Sequence, residues 1–191
     1  MARIKEYDEN EVLQKAMVLF WEQGYEKTSI QDLVTHMGIH RRSIYDTFGD
    51  KHTLFMKSLE RYDEVIGNEI DSEVKVLASV KHAIRRLFEI AVYENESKPL
   101  GCLTVNTAVE LSLHDDKIAE KVVDSFSQTE KLLNELLLRG QKLGEISRHR
   151  DAKKLSQFMH NSLVGLRVLA KTNNDKEKLE SIIDMTLSVL D

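Results

Sequence analysis

Proline and cysteine are almost absent from this chain of 191 residues, which has one of each, and it has only eight glycines. Because turns between strands draw on glycine and proline, their scarcity favours long helices joined by short loops. The single Cys102 excludes a disulfide within the chain and is typical of a reducing compartment. No apolar run approaches the roughly 18 residues of a membrane span, and no signal-peptide core begins the sequence. The sequence therefore predicts a cytoplasmic protein with no membrane partner.

The overall charge is not that of an obvious nucleic-acid-binding protein. With 27 Lys and Arg against 32 Asp and Glu, the net charge is −5. DNA affinity depends on where the cations lie rather than on their total. Residues 27–57 carry five cations against three acids, a local balance of +2.

Helix signals recur along the whole chain. Asp8 with Glu11 has capping-box spacing, as does Thr28 with Gln31. Gly24 and Gly38 end the two helices that follow. Further helices are predicted at about residues 40–48, from Asp50 onwards, and at about 79–95, 102–113, 116–143, 151–172 and 175–190. No segment alternates apolar and polar residues long enough to indicate a strand. The predicted fold class is all-α, with about nine helices in two parts.

The most informative stretch lies between Gly24 and Lys51. Two short helices separated by a glycine turn cannot bury enough surface alone, so they need a third helix behind them, which residues 9–23 supply. Such a unit presents its last helix to the major groove of DNA, which is wide enough to admit it. The sequence therefore predicts a helix-turn-helix DNA-binding domain over residues 1–50 and a larger helical domain over residues 51–191.

The same stretch resembles the N-terminal domain of the TetR/AcrR family, the tetracycline-repressor-like transcription regulators. The family pattern is roughly Phe-x-x-x-Gly-Tyr-x-x-Thr-Ser, then Gly-Val-Ser, then Leu-Tyr-x-x-Phe-x-x-Lys. Over about residues 9–59 the matching or nearly matching positions are Phe20, Gly24, Tyr25, Thr28, Ser29, Gly38, Ile39, Ile44, Tyr45, Phe48 and Lys51. The resemblance implies a homodimeric repressor that leaves a near-palindromic double-stranded operator when an unidentified small molecule binds its C-terminal domain. Nothing in the sequence separates repression from activation.

Carried over position by position, the resemblance implies two kinds of DNA contact. Base contacts are expected at the start of the third helix, from Arg41, Arg42 and Ser43, with His40 beside them. Phosphate contacts are expected from Thr28, Tyr45, Thr47 and Lys51. A guanidinium can bond a guanine edge bidentately, whereas hydroxyls and a lysine at a helix start suit phosphate oxygens.

Two departures from the family pattern affect this prediction. The family usually has Ser or Thr in place of His40, and glycine in place of Arg42. Arg42 therefore either reads bases itself or shifts how the helix docks. The alternative is that Arg41 and Arg42 are solvated charges only, and that the chain is a helical ligand-binding or scaffold protein that has lost DNA binding.

The C-terminal part carries less specific information. Its last two helices are apolar over more than one stripe, so they are buried on two sides, either in a dimer interface or deep inside a monomer. The resemblance implies an effector pocket, and the candidate lining residues are Phe88, Val92, Tyr93, Cys102, Leu103, Asn106, Glu110, Phe126, Met159 and Leu163. Most of these side chains are also what a helical core requires.

Cys102 lies at a predicted helix start, where the helix dipole lowers the pKa of a thiol. It is therefore either a sensor of electrophiles or oxidants, or a small buried core residue. The sequence has no HExxH spacing, nucleophile elbow or phosphate-binding glycine loop. We expect no enzyme activity, no cofactor and no metal site.

Overall fold

The computed structural model describes residues 7–92, 99–172 and 175–191, which form helices joined by short loops. The elements are α1 (Glu9–Gln23), α2 (Ile30–Met37), α3 (Arg41–Phe48), α4 (Lys51–Glu73), α5 (Val80–Val92), α6 (Leu103–Leu111), α7 (Asp116–Leu143), α8 (Ala152–Thr172) and α9 (Lys176–Leu187), followed by a 3-10 turn (Ser188–Leu190). These ranges contain nine α-helices and no strand, which confirms the all-α prediction. None of these helices has the length and apolarity needed to cross a membrane.

The first two helices begin at side-chain caps. The Asp8 carboxylate accepts hydrogen bonds from the backbone N–H groups of Asn10 (2.7 Å) and Glu11 (3.1 Å). Helix α2 begins after Ser29, which exchanges hydrogen bonds with Asp32 in a reciprocal capping box. The prediction of a capping box at Thr28 and Gln31 is therefore wrong by one residue.

Thr28 itself lies in the core. Its side chain is fully buried, and its hydroxyl donates a hydrogen bond to the carbonyl oxygen of Gly24 at 2.6 Å. The residue therefore closes the turn between α1 and α2 from the inside. This burial explains why the cap shifts to the exposed Ser29.

We call the N-terminal unit of α1–α3 the head. The first half of α4 packs against it. The ring centroids of Phe20 and Phe55 lie 5.0 Å apart, and those of Trp21 and Tyr62 lie 4.8 Å apart, both edge to face. This is the arrangement that aromatic quadrupoles favour. Helix α4 thus runs from the head core into the rest of the molecule.

The buried apolar residues fall into two clusters. The first joins the head and the start of α4 to α6 and the N-terminal half of α7. The second joins α5, the C-terminal half of α7, α8 and α9. We call α5–α9 the body. The head is therefore packed on the body through α6 and the N-terminal half of α7, in addition to the covalent link through α4.

One predicted helix end differs from the observed one, and another cannot be compared. Helix α6 ends at Leu111 rather than at 113, and Leu113 is 90% exposed. The predicted end of the preceding helix, residues 93–95, lies outside the described residues.

Candidate DNA interface and effector region

Helix α3 is held against the head by two apolar side chains. Ile44 and Phe48 lie four residues apart and are both buried. The residues predicted to contact bases are instead exposed or partly exposed around the first turn: His40, Arg41, Arg42 and Ser43. His40 makes no capping bond with its side chain. The first turn of α3 is thus accessible to a ligand as large as DNA.

Arg41 and Arg42 each contact a neighbour on their own helix. Arg41 Nη2 lies 3.5 Å from the Tyr45 hydroxyl oxygen, and its guanidinium carbon lies 5.7 Å from the Tyr45 ring centroid. Arg42 Nε lies 3.4 Å from Asp46 Oδ2, with side chains 89% and 67% exposed. Exposed pairs of this kind contribute at most about 1 kcal/mol. A stronger partner can therefore displace both contacts.

A contact that the sequence did not reveal holds the second half of α3. The hydroxyl oxygen of Tyr7 lies 2.6 Å from Thr47 Oγ1, and the same hydroxyl donates to the Ser43 carbonyl oxygen at 3.4 Å. Thr47, a predicted phosphate contact, is partly exposed and already bonded to Tyr7. Tyr7 precedes the family motif, so no spacing rule points to it.

Two further predicted phosphate contacts lie differently from expectation. Because Thr28 is buried, it does not present its hydroxyl to DNA, and Ser29 is the exposed hydroxyl at the start of α2. Lys51 Nζ lies 4.2 Å from the centroid of the Tyr25 ring, a cation–π geometry. Lys51 remains partly exposed at the start of α4.

The body holds the head at the turn between α1 and α2. The Glu110 carboxylate of α6 accepts hydrogen bonds from the backbone N–H groups of Tyr25 (3.0 Å) and Glu26 (2.8 Å). A Cβ atom at Gly24 would lie 2.9 Å from Glu110 Oε2, so glycine leaves room for the carboxylate. The expectation that Glu110 lines an effector pocket needs correction, because both of its carboxylate oxygens bind the head backbone.

Polar contacts connect α4 to α7 beside this contact. His52 Nε2 lies 2.7 Å from Asp115 Oδ2, and Lys121 Nζ lies 2.8 Å from Asp63 Oδ2. The hydrogen bond from the Ile118 backbone and the neighbouring His52 lower the pKa of the Asp115 carboxyl. Asp115 is therefore ionised at neutral pH and caps α7 while holding α4.

The predicted effector-lining residues are divided between the two clusters. The cluster shared with the head contains Cys102 and Leu103, with Phe126 partly buried against it. The second cluster contains Phe88, Val92, Met159 and Leu163. Asn106 has a buried amide nitrogen with no hydrogen-bond partner among the described residues. Tyr93 lies outside those residues.

Cys102 is buried at the start of α6. The Tyr62 hydroxyl donates a hydrogen bond to its Sγ at 3.2 Å. Burial is the largest cause that raises the pKa of Tyr62 well above its ordinary value, and the neighbouring Cys102 is the second. Tyr62 therefore remains a neutral donor. This enclosure favours the interpretation of Cys102 as a core residue. Within the described ranges, no group of His, Cys, Asp and Glu could hold a metal ion.

We expect the Cys102 thiol to react slowly with iodoacetamide in the native protein. Because the thiol is reached only by local opening, alkylation should be at least about tenfold slower than in the urea-unfolded chain. The modification rate is read by mass spectrometry, with the Tyr62→Phe variant as a control that keeps the ring but loses the hydroxyl. Rapid alkylation with loss of DNA binding would instead support the sensor interpretation.

Apolar side chains remain exposed on each of the last two helices. Helix α8 exposes Phe158 (47%) and Val168 (47%), with Gly165 between them, and α9 exposes Met185 (72%). An ideal Cβ at Gly165 has no atom of the chain within 4 Å. A second helix can therefore approach this face closely.

Two family models match the chain, one on each side of the middle of α4. The model for bacterial regulatory proteins of the tetR family matches residues 12–56, and the model for the tetracyclin repressor-like C-terminal domain matches residues 78–186. The chain belongs to the TetR family. It is a transcriptional regulator with a helix-turn-helix DNA-binding head.

Individual relatives agree with this assignment over the full length. The uncharacterized HTH-type transcriptional regulator YezE of Bacillus subtilis (strain 168) is 35% identical over 100% of both chains. The HTH-type transcriptional repressor ComR of Escherichia coli (strain K12) is 31% identical over 97% of this chain and 90% of its own. A cysteine mutant of the TetR family regulator CifR, solved with 26-bp double-strand operator DNA, is 26% identical with a TM-score of 0.90, covering 99% of this chain and 100% of that one.

Proposed function

We propose that this TetR-family chain is a dimeric repressor that binds a near-palindromic operator and leaves it when a small molecule binds the body. In this proposal residues 1–50 bind DNA, residues 51–191 bind the effector and form the dimer, and the protein acts in the cytoplasm. The observation that carries the proposal is the exposed first turn of α3, where the contacts of Arg41 and Arg42 with other described residues are weak and lie at the surface.

Two relatives support the choice of an operator and of repression. CifR, which shares this fold at 26% identity, has been solved with operator DNA, and ComR, at 31% identity, is a repressor. The proposed base contacts are Arg41, Arg42 and Ser43, with His40 beside them. The proposed phosphate contacts are Tyr45, Thr47, Lys51 and Ser29. Ser29 takes the place of Thr28 in the expected set.

The exposed apolar face of α8 and α9 supports the proposed homodimer. Exposed apolar side chains grouped on one face are typical of an interface. In a two-fold dimer the same face of each protomer would meet its copy. The two heads would then read half-sites about one helical turn of DNA apart, or somewhat more.

A gel-shift assay with the DNA upstream of the chain's own gene tests this proposal. We expect a specific complex with a Kd of about 10⁻⁸ M or tighter. Its affinity should fall steeply as salt rises, because phosphate contacts release counterions. Random DNA of equal length is the control. No binding, or binding that salt does not weaken, would contradict the proposal and favour a helical ligand-binding protein that has lost DNA recognition.

A further inference from the structure

The interior bounded by α1, α4, α6 and α8 contains hydrogen-bond donors that lack acceptors. Four side-chain nitrogens are buried without a hydrogen-bond partner among the described residues. Arg139 Nε lies on α7, and the other three, Trp21 Nε1, Asn106 Nδ2 and His160 Nε2, belong to α1, α6 and α8. Folded proteins rarely leave buried donors unsatisfied. Several of them in one interior are typical of a site whose acceptor comes from outside the chain.

These donors lie around the Tyr62–Cys102 hydrogen bond. The Trp21 ring packs edge to face on Tyr62, at 4.8 Å between centroids. Asn106 is one helical turn beyond Cys102, whose carbonyl oxygen accepts a bond from the Asn106 backbone N–H at 3.0 Å.

His160 approaches the same interior from α8. Its ring lies 5.2 Å from that of Phe126, and Phe126 packs on the cluster that contains Trp21 and Tyr62. Burial, followed by the nearby charge of Arg167, lowers the pKa of His160. His160 is therefore neutral at neutral pH and adds no charge to the interior.

Arg167 brings a positive charge to this cluster. It is partly buried two turns beyond His160 on α8, and its backbone carbonyl oxygen lies 3.3 Å from the position of a Cβ on Gly101. Burial opposes the charged form of Arg167, but Cys102 and Tyr62 beside it leave its pKa above the ordinary value. Among the described residues, no carboxylate forms an ion pair with its guanidinium.

The two arginines of α5 differ from Arg167 in this respect. Arg85 lies against Glu180 and Asp184, and Arg86 lies against Glu73. A partly buried guanidinium without an acid is costly unless an anion meets it. Counting only partners in the described ranges, the interior thus combines the positive charge of Arg167 with several unmatched donors.

We propose that Arg167 and the donors around Tyr62–Cys102 form the effector site, and that the effector is a small organic acid bound as its carboxylate. Arg167 meets the negative charge, and the donors Asn106 and Trp21 are available to the acceptor oxygens. Neutral His160 can donate from Nε2 in one of its two tautomers. The apolar side chains of the same cluster surround the rest of the molecule. The inference rests on the proposed function, because it assigns the ligand to which the repressor responds.

Titration of the intrinsic fluorescence tests the ligand class. Trp21 is the only tryptophan, so its emission reports on this interior. The probes are the straight-chain carboxylates from butyrate to decanoate and benzoate, each compared with its own primary amide. We expect at least one acid to bind roughly tenfold or more tightly than its amide, and Arg167→Met to remove that preference. Amides that bind as tightly as the acids, an acid preference that survives in Arg167→Met, or no acid binding at millimolar concentration would overturn the proposal.

A second measurement needs no ligand. Methionine has a similar length but no charge, so Arg167→Met should raise the thermal unfolding midpoint by removing a partly buried cation that has no ion pair among the described residues. The control is Arg85→Met, which loses ion pairs to Glu180 and Asp184 and should not be stabilised. A lower midpoint for Arg167→Met would show that the guanidinium already has its anion within the chain, and would overturn the proposal.

The gel-shift assay separates failure of this inference from failure of the proposed function. An acid that binds through Arg167 should also weaken the complex with upstream DNA in the wild type. If it binds but leaves the complex unchanged, the site is not the effector site. If the chain does not bind that DNA at all, the repressor function fails, whereas the acid preference is still tested by fluorescence. If the chain binds the DNA and no acid binds, only the present inference fails.

Discussion

Replacing Arg41 or Arg42 by alanine should weaken operator binding far more than binding to random DNA. A guanidinium that bonds a guanine edge in two places contributes about 1–3 kcal/mol of discrimination, or roughly 5- to 150-fold in affinity. In the free protein the two side chains contact Tyr45 and Asp46 at the surface. Binding to DNA replaces these weak contacts. The measurement is a fluorescence-anisotropy titration of each variant on the upstream DNA and on a shuffled sequence of equal length.

Arg148→Ala is the matched control, because Arg148 is exposed and lies beyond α7, outside the head. It should bind both DNAs as the wild type does. Equal losses on the two DNAs for Arg41→Ala or Arg42→Ala would show that the arginine contacts phosphate only. An unchanged operator affinity for both variants would remove α3 as the base-reading element.

Charging the exposed face of α8 should abolish both dimerisation and tight operator binding. The Phe158→Asp, Val168→Asp double variant places two carboxylates on the face where a second copy would pack. Two heads joined in a dimer gain about 10²- to 10⁴-fold in avidity over one head, so the monomer should lose at least about a hundredfold in affinity. Sedimentation velocity gives the oligomeric state, and the anisotropy titration gives the affinity.

Val123→Asp is the control for this variant, because Val123 is also an exposed apolar side chain, 61% accessible, but lies on α7. It should leave the dimer and the operator complex intact. A double variant that remains dimeric would place the subunit interface on another surface. A monomeric double variant with undiminished affinity would show that each head binds its half-site independently.

Apolar spacing in the sequence was enough to predict the helices and most of what they bury. Ile44 and Phe48 have the four-residue spacing of one helix face, and both are in the core. Capping spacing was less decisive, because Thr28 with Gln31 and Ser29 with Asp32 both have the separation of a capping box. The choice depends on which hydroxyl the core buries, and that is a property of the packed head rather than of the local sequence.

The contacts between head and body were beyond prediction from local patterns. Glu110 has the helical position of a pocket residue, yet its partners Tyr25 and Glu26 are more than eighty residues away in sequence. Tyr7 likewise reaches Thr47 across most of the head. Periodicity records which face of a helix is buried, but it does not record which other segment covers that face.

Helix α6 is short, and its two ends contact different parts of the molecule. Its nine residues span about 13 Å. Cys102 fixes the first end in the interior, and near the last end Glu110 holds the head turn through bonds of 2.8 and 3.0 Å. A rotation of about 5° about the first end moves the other by roughly 1 Å, which exceeds the tolerance of a hydrogen bond. We therefore expect a displacement at the start of α6 to reach the head turn at its other end.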